Sequence, residues 1–364
     1  MSVIFHVMDM DFHLCGELAY FSSLYMTRER AGIGAFSVCM HAQDADTAGI
    51  QIGRVLFPVD HPERMGLIER VTREEGTDTV TAGGTMLSGL VRRRIALPDA
   101  FGDDGSGYDS VLADAESVMQ HYVSGNVSAP ADERRKMACI VLEENQHRGA
   151  ADIRWQARYE PLEQLLGEIA AYADAGFDIV PDFEKEKFVF RFVPGRDLTG
   201  NAGGARVTFS LGMGNAQGVT HTADVSGAKS TAYVGGAGEG AQRVIAVAGS
   251  EEAGLERREI FVDALAVADA DALSREGERA LQDYAAVDSL TCEVTDTGPL
   301  RYGRDWDVGD LVNVQGAGTV RQMRVTQVTE SIETGRARAL TVTFGTPEKG
   351  VTALIKRLRS AKIR

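Results

Sequence analysis

The sequence predicts an α+β fold that is mostly β, with two related antiparallel β-barrel domains and an inserted α/β domain. Glycine accounts for 40 of 364 residues and aromatic residues for only 7%, a balance typical of a turn-rich protein. Residues 3–95 divide into strand-sized apolar segments separated by Gly, Asp and Pro. Segments of the same pattern recur towards the C-terminal end, which indicates an internal repeat.

The repeat consists of three consecutive strand patterns. The first copy reads IGRVLF, IERVTREE and DTVTAGGT, and the second reads VGDLVNV, VTQVTESI and LTVTFGT. In each copy a glycine, Gly53 or Gly309, precedes the first strand. Short β repeats also match by chance, so duplication is one interpretation of the pattern. If it is correct, the chain carries two related barrels.

The segment between the copies changes from strand to helix patterns. Apolar residues from Tyr108 to Tyr122 follow helical spacing, with Ser106 as a possible cap and Gly125 as a left-handed stop. The segment EPLEQLLGEIAAYADAG predicts a second helix, with Pro161 in its first turn and Gly176 as its stop. FDIV and KFVFRFV then predict a hairpin. An α/β insert is therefore expected.

The remaining elements follow in order. ARVTFSL, TAYVGG, RVIAVAG and RREIFVDA read as strands, and LSREGERALQDYAA reads as a helix capped by Ser274. The glycine-rich stretch YVGGAGEGAQRVIAV fails as a phosphate loop, because no helix follows it and Ala241 stands where a dinucleotide fingerprint needs its third glycine. It predicts a hairpin connection whose glycines tolerate positive φ.

Composition excludes several classes of function. The formal net charge is -15, which makes nucleic acid an unexpected partner, although residues 349–364 carry six basic residues and no acid. The N-terminus lacks a signal-peptide pattern, and no apolar run is long enough to anchor the chain in a membrane. The four cysteines are far apart and read as small buried thiols.

Known catalytic and metal-binding patterns are weak or absent. Ser226 and Lys229 match S-x-x-K, but its partner strings S-D-N and K-T-G do not occur. No histidine pair has i, i+4 spacing, and Asp9 and Asp11 lack the rest of a calcium loop. The carboxylates are too many to single out a glycosidase pair. The sequence therefore predicts no catalytic, cofactor-binding or metal-binding residue, no cofactor and no enzyme activity.

The order of these segments resembles that of a known family. DFHLCGELAYFSSLYMTRERAGIGAFSV, IGRVLF, GLIERVT and GTMLSGLVRRRIA resemble the start of siphophage tail-hub proteins, the tail-associated or baseplate-hub family of long non-contractile tails. YEPLEQLLGEIA and KFVFRFVPGRDLT resemble the inserted domain of that family. AYVGGAGEGAQRVIAVAG, LERREIFVDA, YGRDWDVGDLVNV and RVTQVTESIE continue the match over nearly the whole chain.

The resemblance implies a structural virion protein at the tail tip, assembled in the host cytoplasm. Two barrel hub domains in each chain of a homotrimer would form a pseudo-sixfold ring that closes a hexameric tail tube. The implied partners are the distal tail protein or tail-tube ring, the tape-measure protein, and tail-tip or receptor-binding proteins. Two alternatives stay open: the hub of a contractile tail, gene-transfer particle or related injection machine, and a tail-associated wall-degrading hydrolase.

The resemblance also implies a division of the chain. The first barrel takes residues 1–105 with return strands at 206–232, the insert takes 106–205, the second barrel 233–346, and a basic tail 347–364. Residues that would lie at ring interfaces or in barrel strands come from the repeated segments: Val55, Phe57, Ile68, Val71, Val312, Val314, Val325 and Val328. An amphipathic docking helix is expected in the basic tail, carried by Leu354, Ile355, Lys356, Arg357, Leu358 and Arg359.

Overall fold

A computed structural model describes residues 3–98, 107–151, 153–201, 203–264, 270–296, 300–316 and 319–346. The chain forms two compact units. The first contains the chain up to Val219 together with Thr291–Thr343, and the second contains Thr220–Leu290 and the described chain from Phe344. The mostly-β character predicted from the sequence is confirmed, whereas the two closed barrels and the domain boundaries stay predictions.

The N-terminal part of the first unit is built from strands and one short helix. These elements are β1 Phe5–Met8, β2 Leu14–Leu18, β3 Ser23–Glu29, β4 Ala35–His41, α1 Ala42–Thr47, β5 Val55–Pro58, β6 Gly66–Glu74 and β7 Thr79–Met86. Burial alternates along β4, where Phe36, Val38 and Met40 are buried and their neighbours are more exposed. This period of two buries one face of the sheet over a core of aliphatic and aromatic side chains.

The middle of the first unit contains two helices and five strands. These are β8 Asp109–Ala113, α2 Ala115–Val123, β9 Ile140–Leu142, β10 Ile153–Ala157, α3 Leu162–Tyr172, β11 Gly176–Asp182 and β12 Lys187–Val193. The predicted hairpin is confirmed, because β11 and β12 pair antiparallel from Gly176–Val193 to Asp182–Lys187. The phenylalanines of β12 are buried in one core with Leu165 and Leu166 of α3.

The first predicted helix is wrong in its N-terminal half. Residues Asp109–Ala113 form a strand that pairs antiparallel with β10, and the helix begins only at Ala115. Asp114 caps it by accepting a hydrogen bond from the Ser117 amide at 2.9 Å. Pairing with a segment some forty residues further along the chain overrides the local helical spacing. Ser106, the predicted cap, lies outside the described residues.

The residues at which the helices end also differ from the prediction. Gly125 does not end α2, because the chain continues into a wider helical turn, Ser124–Ser128. The second helix is confirmed over Leu162–Tyr172 after Pro161, but Gly176 opens β11 rather than stopping the helix. Asp174 takes the left-handed conformation instead, with φ 47°. Aspartate tolerates this region better than most residues.

The C-terminal part of the chain returns to strands. Its elements are β13 Thr208–Ser210, β14 Ala216–Asp224, β15 Thr231–Gly235, β16 Ile245–Gly249, β17 Glu259–Asp263, α4 Ala270–Asp283, β18 Val287–Val294, β19 Leu311–Gly316, β20 Thr319–Glu333 and β21 Ala339–Thr346. The boundary between the two units passes through β14, β18 and β21. Ser274 lies inside α4, four residues after its first described residue, and does not cap it.

The second unit is organised around a small sheet in the order β16-β15-β17, with α4 against one face. The predicted glycine-rich hairpin is confirmed, because β15 and β16 pair antiparallel on either side of it. Gly238 has φ 105°, and a Cβ there would lie 2.7 Å from the Gln242 carbonyl oxygen. Arg243 closes the loop by donating to the carbonyl oxygens of Gly235 and Gly236 at 2.8 and 3.0 Å. The glycines therefore turn a hairpin.

Candidate functional site

The repeat predicted from the sequence has a matching hydrogen-bond pattern in the structure. In the first copy, the Gly53 amide donates to Ile68 O at 2.9 Å, and the Ile68 amide donates to Arg54 O at 2.8 Å. In the second, the Gly309 amide donates to Val325 O, and the Val325 amide donates to Asp310 O, both at 2.8 Å. Both glycines have positive φ, 90° and 95°. The same turn therefore leads into the same strand pair twice.

The equivalence extends to five strands in each copy. The first copy follows the order β3-β4-β7-β6-β5, and the second follows the order β14-β18-β21-β20-β19. We call these the first and second modules. Beyond them the copies differ, because β5 pairs antiparallel with β1 whereas β19 pairs parallel with β13. Each chain thus carries two modules with the same strand order.

The two modules are joined edge to edge. β20, the fourth strand of the second module, pairs antiparallel with β3, the first strand of the first module, from Gln327–Glu29 to Glu333–Ser23. Thr27 Oγ1 and Thr329 Oγ1 lie 3.0 Å apart across this joint, and the Tyr25 hydroxyl donates to Glu333. The backbone ladder therefore makes one continuous sheet from two modules.

A buried charge network supports this joint. Arg64, which is 1% exposed, stacks over the Tyr302 ring at 4.0 Å and donates to the Tyr302 carbonyl oxygen at 3.2 Å. Its Nη1 lies 3.5 Å from Glu330 Oε2 on β20. Arg338 Nε lies 2.5 Å from Glu330 Oε1, and Arg338 Nη1 donates to Asp296 at 2.8 Å. Residues of both modules thus share one network of opposite charges.

Arg28 on β3 forms a second polar contact between distant segments. Its guanidinium donates to Asp307 at 2.7 Å, to the Tyr302 hydroxyl at 3.1 Å and to Asp178 at 3.3 Å. Burial opposes the charge on Arg28, but Tyr302 and the two carboxylates outweigh it and raise the pKa of Arg28. Burial also raises the pKa of the Tyr302 hydroxyl. The guanidinium therefore stays charged where β3, β11 and the Tyr302 loop meet.

The sequence did not identify this polar network. Arg64 lies in the segment HPERM, and its partners Tyr302 and Glu330 follow more than 230 residues later. The only signal was the segment YGRDWDVGDLVNV, which contains Tyr302 and was quoted for the resemblance alone. Periodicity identifies buried apolar positions, but it does not indicate which buried cation meets which carboxylate.

The eight residues predicted for ring interfaces or barrel strands lie in the modules. Seven of them are at most 4% exposed and half-buried Val71 packs against the N-terminal core. They lie on four strands: Val55 and Phe57 on β5, Ile68 and Val71 on β6, Val312 and Val314 on β19, and Val325 and Val328 on β20. Their role between copies of the chain stays a prediction. Because most of these side chains are buried within one chain, contacts between copies would run through strand edges and exposed neighbours.

The sequence also led to predictions about metal ligands, membrane segments, cysteines and a docking tail. In the described part of the chain, no group of three or more His, Cys, Asp or Glu side chains is arranged to hold a metal ion. No described helix is long and apolar enough to cross a membrane. The four cysteines are unpaired thiols, and burial raises the pKa of Cys292 to about 12. The docking residues Leu354, Ile355, Lys356, Arg357, Leu358 and Arg359 lie outside the described residues.

This fold is the fold of phage tail proteins. The structure matches the 43 kDa tail protein of prophage MuSo2 from Shewanella oneidensis at TM-score 0.59 and 15% identity, covering 94% of this chain and 98% of that chain. It matches a tail protein from Neisseria meningitidis MC58 at TM-score 0.55 and 15% identity, covering 95% and 96%. Prophage tail protein gp18 from Listeria monocytogenes EGD-e gives TM-score 0.51 and 11% identity, covering 98% of both chains.

The family of the chain follows from its sequence profile. Residues 4–346 match the Siphovirus ReqiPepy6 Gp37-like protein family, and the chain belongs to that family. This membership confirms the resemblance to siphophage tail proteins. A comparison with curated proteins found none that matches.

Proposed function

We propose that this protein is the hub of the tail tip of a long-tailed phage. Three copies form a ring of six modules that closes a hexameric tail tube. The observation that carries this proposal is the pair of five-strand modules joined by β20 and β3. Such a joint is head-to-tail, since the fourth strand of one module meets the first strand of the other. Head-to-tail contacts between copies generate rings when the rotation closes.

The hub acts as a symmetry adaptor. Two similar modules in each of three chains present six similar surfaces to a tube of sixfold symmetry, while the inserted helices and the second unit repeat only three times. The proposed partners are the distal tail protein or tube ring on one side, and the tape-measure and tail-tip proteins elsewhere. A contractile tail or related injection machine would use the same adaptor, and a sheath gene beside this one would indicate that class.

The mass of the assembly tests this proposal. Native mass spectrometry of the full chain, alone and with the adjacent tail protein, is expected to show a trimer, since three chains complete six modules. Isolated chains that stay monomeric and become trimeric on the partner agree with the proposal. A stable dimer or tetramer under both conditions would count against the hub.

We also propose that residues 351–364 dock on an acidic surface of a tail protein or of a neighbouring copy. The tail combines Val351, Leu354, Ile355 and Leu358 at helical spacing with basic residues and no acid. Opposite charge would speed docking and make it salt-sensitive, while the apolar stripe would supply the buried contact.

Truncation after Thr346 tests the docking segment. The shortened chain is expected to keep its circular dichroism spectrum and melting temperature but to be absent from purified tails. A matched control replaces Lys356, Arg357 and Arg359 with alanine and keeps the apolar stripe, which should reduce incorporation more at high salt than at low salt. Normal incorporation of the truncated chain into infectious particles would show that the segment is a solvated end.

A further inference from the structure

The two modules differ in what lies beside their fourth strand. In the second module, β20 pairs with β19 through Thr319–Arg324 and then with β3 through Gln327–Glu333. In the first module, β6 pairs with β5 only through Gly66 and Leu67. From Arg70 onward β6 has β7 on one side, and no strand lies on its other side in the described part of the chain. The position that β3 occupies beside β20 is thus open beside β6.

The first strands of the modules differ in the complementary way. β3 lies between β4 and β20, whereas β14 ends the strand order and pairs with β18 alone among the described strands. Seven of the nine β14 residues are exposed. Each chain therefore presents one open fourth strand, β6, and one open first strand, β14.

We infer that β6 of one copy pairs antiparallel with β14 of a second copy, as β20 pairs with β3 within the chain. This inference rests on the proposed function for the number of copies, since three such joints close the ring. The partner is a second copy of the same chain, because the same kind of joint already occurs within the chain, between β20 and β3. Strand addition of this kind satisfies the backbone groups that an open edge exposes to water.

The internal joint also predicts the register of the contact. Because Ile68 and Val325 make equivalent hydrogen bonds, Thr72 corresponds to Thr329. β14 is aligned through its neighbours. Thr326, the counterpart of Glu69, donates from Oγ1 to Thr343 O at 3.1 Å. Thr343 therefore corresponds to Gly83, which lies across from the bulge at Glu69 and pairs with Ser37 of β4. Thr291 Oγ1 lies 3.4 Å from Thr343 Oγ1.

This alignment equates Thr291 of β18 with Ser37 of β4, so that buried Leu290 and Cys292 match buried Phe36 and Val38. His221 Nε2 lies 2.8 Å from Asp288 Oδ1, so these two side chains share one face of the β14–β18 pair. With His221 opposite Asp288, Thr220 of β14 corresponds to Thr27 of β3, which pairs with Ala35 of β4. The contact between copies therefore sets Thr72 opposite Thr220 and repeats the threonine pair of the internal joint.

Charge limits which strands can add to this edge. Along its exposed segment β6 carries Glu69, Arg70, Arg73 and Glu74. Charges on an edge strand discourage pairing with arbitrary strands. β14 carries one aspartate and no lysine or arginine, so it brings no row of like charges to this edge.

Engineered disulfides test the pairing directly. Cys15, Cys39 and Cys139 are replaced by serine, and Cys292 stays because it is buried and burial raises its thiol pKa to about 12. In this background, Thr72→Cys with Thr220→Cys is expected to give covalent dimers and trimers on a non-reducing gel after mild oxidation. Each single cysteine variant is expected to stay monomeric on the same gel.

Two matched controls define the geometry. Thr27→Cys with Thr329→Cys should form an intramolecular disulfide, because those side chains already lie 3.0 Å apart at Oγ1. Thr72→Cys with His221→Cys should crosslink at least tenfold less, because His221 points to the opposite face of β14 from Thr220. All variants are oxidised under the conditions in which native mass spectrometry shows the assembly, with the adjacent tail protein where it is needed.

The outcomes separate this inference from the proposed function. A native trimer in which Thr72→Cys and Thr220→Cys fail to crosslink, while the internal control does, overturns the strand pairing and leaves the hub intact. Absence of any trimer, alone or with the tail protein, overturns both. Equal crosslinking through His221→Cys overturns the register and the pairing derived from it. Crosslinked trimers together with an unreactive His221→Cys variant support the inference.

Discussion

Replacing Glu330 with glutamine is expected to lower the free energy of unfolding by about 3–5 kcal/mol, the cost of leaving a buried charge without its partner. Arg64 is 1% exposed and lies 3.5 Å from Glu330, while Arg338 holds the other carboxylate oxygen at 2.5 Å. Urea titration followed by tryptophan fluorescence measures the loss. Both tryptophans, Trp155 and Trp306, lie in the first unit and report on it.

An exposed ion pair provides the control for this prediction. Arg73 and Asp46 form a solvent-screened pair with both side chains about half exposed, so Arg73→Ala should leave the free energy of unfolding nearly unchanged. Replacing Arg64 and Glu330 together by methionine should restore much of the stability lost in Glu330→Gln. A loss in the free energy of unfolding below about 1 kcal/mol for Glu330→Gln would show that water or the Glu63 carboxylate compensates the charge of Arg64.

Leu166→Ala is expected to lower the free energy of unfolding by about 2–5 kcal/mol, through lost burial and the cavity left behind. Leu166 is fully buried on α3, in the core that contains Phe188, Phe190 and Phe192 of β12. The surrounding side chains come from several elements, so the site cannot collapse without moving a strand or a helix. The same fluorescence titration measures the effect.

Leu112→Ala is the matched control for Leu166→Ala. Leu112 is 57% exposed on β8, although its spacing in the sequence had predicted a place on a buried helix face. Its replacement should change the free energy of unfolding by about 0.5 kcal/mol or less. If Leu112→Ala cost as much as Leu166→Ala, Leu112 would not be exposed to solvent in solution. A contact with another copy would then have to cover it.

The predictions that succeeded rest on patterns with a local physical cause. In KFVFRFV, alternate phenylalanines predicted one buried face, and Phe188, Phe190 and Phe192 are buried. The leucines of α3 have helical spacing and occupy the same core. Gly53 and Gly309 precede equivalent strands because a positive φ at each lets the chain turn into the strand pair. Each of these features is decided within a few residues.

The predictions that failed depend on partners far along the chain. Asp109–Ala113 has apolar residues at helical spacing, yet it forms a strand because Ile153–Ala157 pairs with it. Asp174, rather than Gly176, takes the left-handed turn after α3, and its carboxylate also binds Arg30 and Arg324 at 2.6 and 2.7 Å. Those arginines belong to β3–β4 and β20, so no window of local sequence contains the cause.

The candidate site shows the same division. The repeated segments identified three of the five strands in each module, β5, β6 and β7 in the first and β19, β20 and β21 in the second. They did not indicate that β20 joins β3, nor that β6 and β14 are left open. An open edge can be identified only when the order of strands in the sheet is known. That order depends on pairings between residues about three hundred positions apart.

The sequence by itself determined the mostly-β class, the repeat, the hairpin of the glycine-rich stretch and the family, because periodicity, turn chemistry and motif order are properties of short segments. Only the tertiary structure decided which edges are satisfied and which are open. It also decided which buried cation meets which carboxylate, as Arg64 meets Glu330. Both depend on backbone and side-chain groups that find their partners only when distant segments pack together and exclude water.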